Sequence, residues 1–329
     1  MRRWTSEQVA ELDDRDAYYS PGLIRVETPE YLLFLVPGTL SPNCVRRFQT
    51  DAGSAERVME EVLQRVRRAG GTGMRWVVNS RSTPADLAGR LLRHGFELSA
   101  PAEILYRDLG TEAGPDLPPA RAAREISVRE ACNDHEVDVF MTLGERIFLE
   151  PPAPREFMEQ LRSHTRKSVE ATGHSQLFLA FDGGVPVGRA GLTVTGSVGR
   201  LWTAGVLADH RRKGVYQLLT RERCRAALEQ GARLAITHAV IATSGAILRR
   251  RGFQSAGPYD YYRVRWDRGG PHRPVKRQNH LGTRAKPYER AHGATPARTS
   301  EPGKGLTVRR RTSAGSSSTV LRSGASPPS

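Results

Sequence analysis

Hydrophobic and polar positions alternate with two different periods along this chain. Residues 54–69 place Val58, Val62, Leu63 and Val66 at helical spacing with charged residues between them, and Gly70-Gly71 follows. That pattern predicts an amphipathic helix with a glycine stop. Residues 75–78 read as a strand. Residues 84–94 read as a helix opening at Thr83-Pro84 and closing at Gly95-Phe96, before an apolar strand at Ile104-Leu105-Tyr106. A second series starts with a strand at 125–129 and a helix at 134–148, with Val137, Phe140, Met141 and Leu143 available for burial. Pro151, Pro152 and Pro154 then break the chain, and a further helix is expected over 154–170. Strands at 176–181 and 185–194 flank Asp182-Gly183-Gly184, a turn suited to a β-hairpin. A third strand is expected at 200–207, a helix at 215–230 ending at Gly231, a strand at 234–240, and a short helix at 243–251 ending at Gly252-Phe253. An aromatic strand containing Tyr261 and Tyr262 closes the series.

The two series share one order: helix, glycine, strand, helix, Gly-Phe, strand. Such self-similarity predicts two copies of one mixed α/β fold in tandem. The boundaries expected are a first domain at 1–112, a linker at 113–123 carrying Gly114, Pro115, Pro118 and Pro119, a second domain at 124–267, and a tail at 268–329.

Charge sharpens that division. The chain carries 50 Lys and Arg against 35 Asp and Glu, a net +15, but the tail holds 13 of the former and 2 of the latter. The remainder is close to neutral, at +4. The tail is rich in Gly, Pro, Ser, Thr and Arg without apolar periodicity, and is expected to be disordered. Its Arg309-Arg310-Arg311 cluster, with Arg273, Lys276 and Arg277, would attract nucleic acid weakly by counterion release. Cys44, Cys132 and Cys224 are too widely spaced for a zinc pattern and odd in number. No signal-peptide core or run of ~20 apolar residues is present, so a cytoplasmic location and no membrane partner are expected.

Candidate chemistry concentrates at Val206-Leu207-Ala208-Asp209-His210-Arg211-Arg212-Lys213-Gly214-Val215-Tyr216, where a strand turns into a long helix. Backbone N–H groups at a helix start lack intrahelical acceptors, and the helix dipole adds partial positive charge. A phosphorylated cofactor can dock there. Gly214 allows close backbone approach, and Arg211, Arg212 and Lys213 supply cations. The segment resembles motif A of the GCN5-related N-acetyltransferases (GNAT), Arg or Gln, two residues, Gly, one residue, then Gly or Ala. Arg211 and Gly214 match it, while Tyr216 stands where the family prefers Gly or Ala. The helix ending in Gly252-Phe253 resembles motif B, with Leu248 at the position of the family's usual Tyr. In the first copy, residues 40–55 contain Arg46-Arg47 but no such motif, and Ser54 reads as a helix N-cap. That copy is assigned a structural or substrate-shaping role.

The resemblance implies a GNAT acyl-CoA N-acyltransferase fold in both copies, the first degenerate. It implies acetyl-CoA as co-substrate, no metal, and direct transfer to a primary amine with both substrates bound. Backbone N–H groups near Val206 and Leu207 would hold the pantetheine arm, and residues 211–216, ending at Val215 and Tyr216, the pyrophosphate. The loop 145–155 would face the acceptor. Candidates for the base are His238, Glu145 and Glu150, against the simpler readings of a packed imidazole and solvated carboxylates. Candidates for the acid are Ser244, Tyr216, Tyr259, Tyr261, Tyr262 and water, although Thr243 and Ser244 also suit a helix N-cap and the tyrosines suit strand core or rim. The acceptor stays open among a small amine, an aminoglycoside-like sugar, an amino acid and a protein N-terminus. Two alternatives stand beside this enzyme: an acyl-CoA-binding sensor or interaction module with weak turnover, and a nucleic-acid-associated protein acting through the tail.

Overall fold

A computed structural model describes residues 4–15, 23–35, 43–110, 125–149, 155, 158–159, 161–163, 165–166 and 175–266. The first series comprises α1 (Ser6–Arg15), β1 (Ile24–Glu27), β2 (Tyr31–Leu35), β3 (Asn43–Phe48), α2 (Ala55–Arg68), β4 (Gly73–Asn79), α3 (Leu87–Arg93), β5 (Glu97–Leu98) and β6 (Ala102–Asp108). The second comprises β7 (Ile126–Glu130), α4 (Asp134–Phe148), β8 (Ser175–Asp182), β9 (Val185–Thr195), β10 (Val198–Val206), α5 (Val215–Glu229), β11 (Leu234–Val240), α6 (Ala246–Arg249) and β12 (Gln254–Arg265). A 3-10 turn at Ala208–His210 precedes α5, and a π turn at Ile241–Gly245 precedes α6.

The strands form one mixed sheet in the order β1-β2-β3-β4-β12-β6-β11-β10-β9-β8-β7, with β5 against β12. Each series keeps one parallel pair, β3 with β4 and β10 with β11, joined by the helix between them. Their closing strands are exchanged. β6 of the first series pairs antiparallel with β11, while β12 of the second pairs antiparallel with β4. The two also pair with each other at the centre. Neither series therefore completes its own sheet, an arrangement that matching the two series by sequence does not disclose.

Helices cover both faces. A Cβ on Gly188 would meet Val215 and Leu219, and one on Gly199 would meet Ala227, so α5 lies against one face of β9 and β10. The opposite face carries α4, whose Phe140 stacks edge-on to Trp202, and α1, which packs beside Ile104, Ile236 and Tyr259. The start of α4 is well determined locally: Asn133 Oδ1 accepts from Glu136 N at 3.0 Å, and the Glu136 carboxylate accepts from Cys132 N at 2.7 Å. In the first series Phe48, Trp76 and Phe96 form an edge-to-face chain, with ring centroids 5.0 and 5.9 Å apart.

Three expected helix starts differ, one of them at 243, where Thr243 and Ser244 lie inside the π turn and Gly245 is the N-cap of α6. The Ser54 side chain makes no cap bond; Asp51 Oδ1 instead accepts from Ser54 N at 2.8 Å. The helix expected from residue 84 begins at Leu87, after a turn in which Leu87 N donates to Pro84 O. Most of the helix expected at 154–170, the linker at 113–123, Glu150 and the tail lie outside the described residues. No helix among those described is long and apolar enough to cross a membrane.

Candidate active site

Pairing between β10 and β11 is limited to Val198–Leu234, Gly199–Ala235 and Arg200–Ile236. Beyond it the strands diverge, with Thr237 Oγ1 donating to Leu201 O at 2.8 Å near the fork. β10 bulges between Trp202 and Gly205, and Thr203 takes a φ of 42°. Residues 202–206 thus have no pairing partner on β11, and the gap between them and the end of β11 forms a wedge.

The wedge leads to the turn before α5. Arg212 and Gly214 are left-handed, with φ of 66° and 85°. Backbone bonds run from His210 N to Leu207 O and from Arg211 N to Ala208 O, then resume at Gln217 and Leu218, both donating to Gly214 O. The N–H groups of residues 212–216 have no acceptor among the described residues. Several adjacent donors at a helix N-terminus form an anion-binding concavity, which fits a pyrophosphate. Val206 and Val215 are buried supports of this turn, and Leu207 N donates to Val187 O, which leaves it committed to β9.

The basic side chains around the turn are used differently. Arg211 Nε folds back to Val206 O at 3.2 Å. Lys213 Nζ and His210 Nδ1 both contact Asp182 Oδ2, at 3.0 and 2.8 Å, and these bonds, Lys213 first, hold the Asp182 carboxyl below its usual range. Lys213 thus fastens the turn to the β8–β9 hairpin. Arg212 remains exposed. Tyr216, on the first turn of α5, is half-buried; burial raises its phenol, against the charge of Arg223 and the nearness of Ser244. The phenol therefore stands beside Ser244 in the π turn. Leu248 is packed into the core behind it.

His238 projects from β11 onto the α1 face. Its Nε2 meets Asp13 Oδ2 at 2.8 Å, its Nδ1 lies 3.4 Å from the Tyr261 hydroxyl, and its ring stacks on Tyr259 at 3.8 Å. Asp13 is 0% exposed and also binds Arg200 at 2.7 Å and faces Arg46 at 3.6 Å. Burial opposes ionisation of Asp13, but His238, Arg46 and Arg200 together outweigh it and hold this carboxyl far below the usual range. Burial lowers His238 from the ordinary 6.5, against the pull of Asp13. At neutral pH the imidazole is consequently uncharged. Because ionised Asp13 can only accept, Nε2 carries the hydrogen and Nδ1 holds the lone pair. The His238 side chain is 21% exposed, so this lone pair belongs to a partly open group. Sequence reading named His238 but not Asp13, since nothing in the composition of α1 marks an acid as the partner of a residue on β11.

Glu145 is half-buried on the last turns of α4. It is not joined to the His238 cluster by any hydrogen bond among the described residues. A residue that sequence reading passed over lies nearby: Arg189 of β9 is buried against Phe140 of α4 and reaches Thr203 in the bulge.

The first series repeats the fork but not the opening. β3 and β4 pair at Asn43–Met74, Cys44–Arg75 and Val45–Trp76, and beyond that a bridge between Gln49 and Thr83 spans the mouth. Phe48 and Trp76 fill the interior, and the Asp51 carboxylate, held below its usual range by bonds from Ser54 and Gly53, occupies the start of α2. An anion already sits where a phosphate would dock.

Residues 142–253 match the acetyltransferase (GNAT) family. This segment is a GNAT domain. Among solved structures, the chain is similar to a GCN5-related N-acetyltransferase from Kribbella flavida, at 18% identity and a TM-score of 0.57, with 82% of this chain and 98% of that one covered. It is also similar to a tandem GNAT protein from the clavulanic acid biosynthesis pathway, at 14% identity and a TM-score of 0.53, covering 81% and 89%. A GCN5-related N-acetyltransferase from Sphaerobacter thermophilus matches at 17% identity and a TM-score of 0.51, covering 71% and 76%. No curated protein matches the sequence. Coverage of both series by these structures makes the first series GNAT-like in fold as well, so the chain carries two GNAT-like folds in tandem. No cluster of three metal-ligating side chains occurs among the described residues.

Proposed function

We propose that the second GNAT series transfers an acetyl group from acetyl-CoA to a primary amine, with both substrates bound together. The observation that carries this reading is the fork between β10 and β11 leading to five adjacent N–H donors at 212–216. Those donors, with Gly214 allowing close approach and Arg212 exposed beside them, would hold the pyrophosphate; Val206 and the bulged backbone of β10 would line the pantetheine arm. When bound, acetyl-CoA supplies the activated acetyl group, and bulge N–H groups would polarise its carbonyl oxygen.

His238 is the base in this proposal. Its Nδ1, which accepts from the Tyr261 hydroxyl at 3.4 Å, would exchange that bond for the proton that the amine loses on attack, while the Asp13 carboxylate keeps the hydrogen on Nε2 and stabilises the imidazolium that forms. Ser244, close to the Tyr216 phenol, would return a proton to the departing sulfur. Glu145, on the last turns of α4, would act on substrate selection rather than proton transfer.

The test is calorimetric titration of the full chain with CoA, followed by thiol release from acetyl-CoA across an amine panel. Binding with amine-dependent thiol release supports the proposal. Binding without turnover for any amine would favour an acyl-CoA sensor, and no binding would remove the cofactor assignment altogether.

A further inference from the structure

We propose that Arg189 is an anchor for an anionic group on the acceptor, so that the preferred substrates are amines carrying a carboxylate or a group of similar charge. This inference rests on the acetyl-transfer reading, and it names the substrate class for that site. Arg189 is only 7% exposed, yet no Asp or Glu among the described residues lies within ion-pair distance of it. Its NH1 donates to Phe140 O at 2.8 Å and its NH2 to Thr203 Oγ1 at 3.3 Å, while Nε is buried with no acceptor. Two neutral acceptors satisfy little of a guanidinium's capacity of five N–H donors. A buried charge without a counter-ion is costly, and proteins retain one chiefly where something else supplies the opposite charge.

The surroundings fit a ligand in that role. The guanidinium lies 3.8 Å from the Phe140 ring centroid, and Phe148 stands 5.8 Å away, 46% exposed at the end of α4. Gly144 leaves the space that the guanidinium occupies: a Cβ there would fall 1.9 Å from NH1. Thr203, the NH2 acceptor, is exposed in the β10 bulge, beside the fork. An amine reaching the fork from this face would thus present its anion to Arg189 and its apolar part to Phe148. Burial alone lowers Arg189 from 12.5 to about 9, so it remains a cation at neutral pH.

The test uses the full-length protein and matched probes, L-leucine with isoamylamine and L-phenylalanine with phenethylamine. Two readouts are taken: the shift in melting temperature that each probe produces with and without CoA, and KM and kcat for acetyl transfer. The wild type should be stabilised by the amino acids and not by the decarboxylated amines, and should show a KM at least tenfold lower for the acids. In Arg189→Met the difference within each pair should disappear, chiefly through KM, while affinity for CoA stays within about twofold. Arg189→Lys should restore part of the preference. Without ligand, Arg189→Met should melt no lower than wild type, because an unpaired buried charge has been removed. Normal CoA binding with equal response to both members of each pair overturns this inference and leaves the acetyl-transfer reading standing. A carboxylate-dependent melting shift without acetyl transfer would keep the anion site and sink that reading. A marked loss of melting temperature in Arg189→Met with an unchanged carboxylate preference would show that Arg189 serves packing alone.

Discussion

Asp13 and His238 meet at 2.8 Å although 225 positions separate them along the chain. The contact joins the first helix to a strand of the second series, and Arg200 and Arg46 complete it from β10 and β3. One fully buried carboxylate thereby neutralises cations from both series. Replacing Asp13 by Ala should leave those groups without their counter-ion and cost about 3–5 kcal/mol of stability. Urea unfolding of the two proteins measures it; a difference below about 1 kcal/mol would mean that water replaces the carboxylate at little cost.

Activity should depend on pH through His238. A base must be unprotonated, so kcat/KM should rise with pH, and burial places the midpoint below the 6.5 of ordinary imidazole. Asp13 pulls that midpoint upward, so Asp13→Asn should move it to still lower pH. His238→Gln should abolish this limb and lower kcat by about 10²–10⁴-fold. An acceptor amine with a pKa below the range scanned isolates the effect. An unchanged profile in His238→Gln assigns the base elsewhere, with Glu145 the first residue to examine.

The same histidine contributes to stability with a definite sign. Its folded form binds a proton less readily than the unfolded chain, so stability should fall as pH drops through the unfolded value near 6.5. Asp14 works in the opposite sense. Burial and the adjacent Asp13 raise it to about 6, so its contribution is complete below 3.8 and lost as pH rises through about 6. Melting temperatures between pH 4 and 8 should therefore show a shallow slope in wild type. Removing Asp14 with Asp14→Asn should steepen the rise with pH; an unaltered slope would mean that Asp14 titrates normally.

Gly214 combines a φ of 85° with the N-cap position of α5. A side chain there costs about 1–2 kcal/mol in the backbone alone. Gly214→Asp adds a negative charge beside the proposed phosphate site, and CoA affinity should fall by at least ~2 kcal/mol, or roughly 30-fold. Titration of a folded variant decides this. Equal affinity in the variant would show that the turn does not contact the cofactor.

Exchange of β6 and β12 bears on dissection of the chain. Residues 113–267 expressed alone lack the strand that separates β11 from β12, and residues 1–112 lack the partner of β4. Each fragment should fail to fold as a monomer, whereas the two produced together should assemble and bind CoA. Removing 268–329 should leave CoA affinity unchanged while abolishing salt-sensitive retention on nucleic acid, because most of the net charge lies there. A folded, CoA-binding fragment 113–267 would show that the exchanged strands are dispensable.

Local patterning was enough to place most elements. Leu234–Val240 and Asp134–Phe148 begin and end where the sequence suggests, because a short apolar run or a capped amphipathic helix is specified by neighbours. The Arg-x-x-Gly turn was legible for a similar reason: a left-handed glycine at a helix start is a backbone requirement, visible in composition. What sequence alone left undecided depends on residues that meet from far apart. Strand exchange is set by which sheet edges find one another, since β6 and β12 both mix apolar with charged positions and neither pattern names its partner. Asp13 became the partner of His238, and Arg189 a cation without a carboxylate among the described residues, only once α1, α4 and the central strands were packed together. Burial and the neighbouring charges together set the state of these groups, and both are properties of the assembled sheet rather than of any segment of the chain.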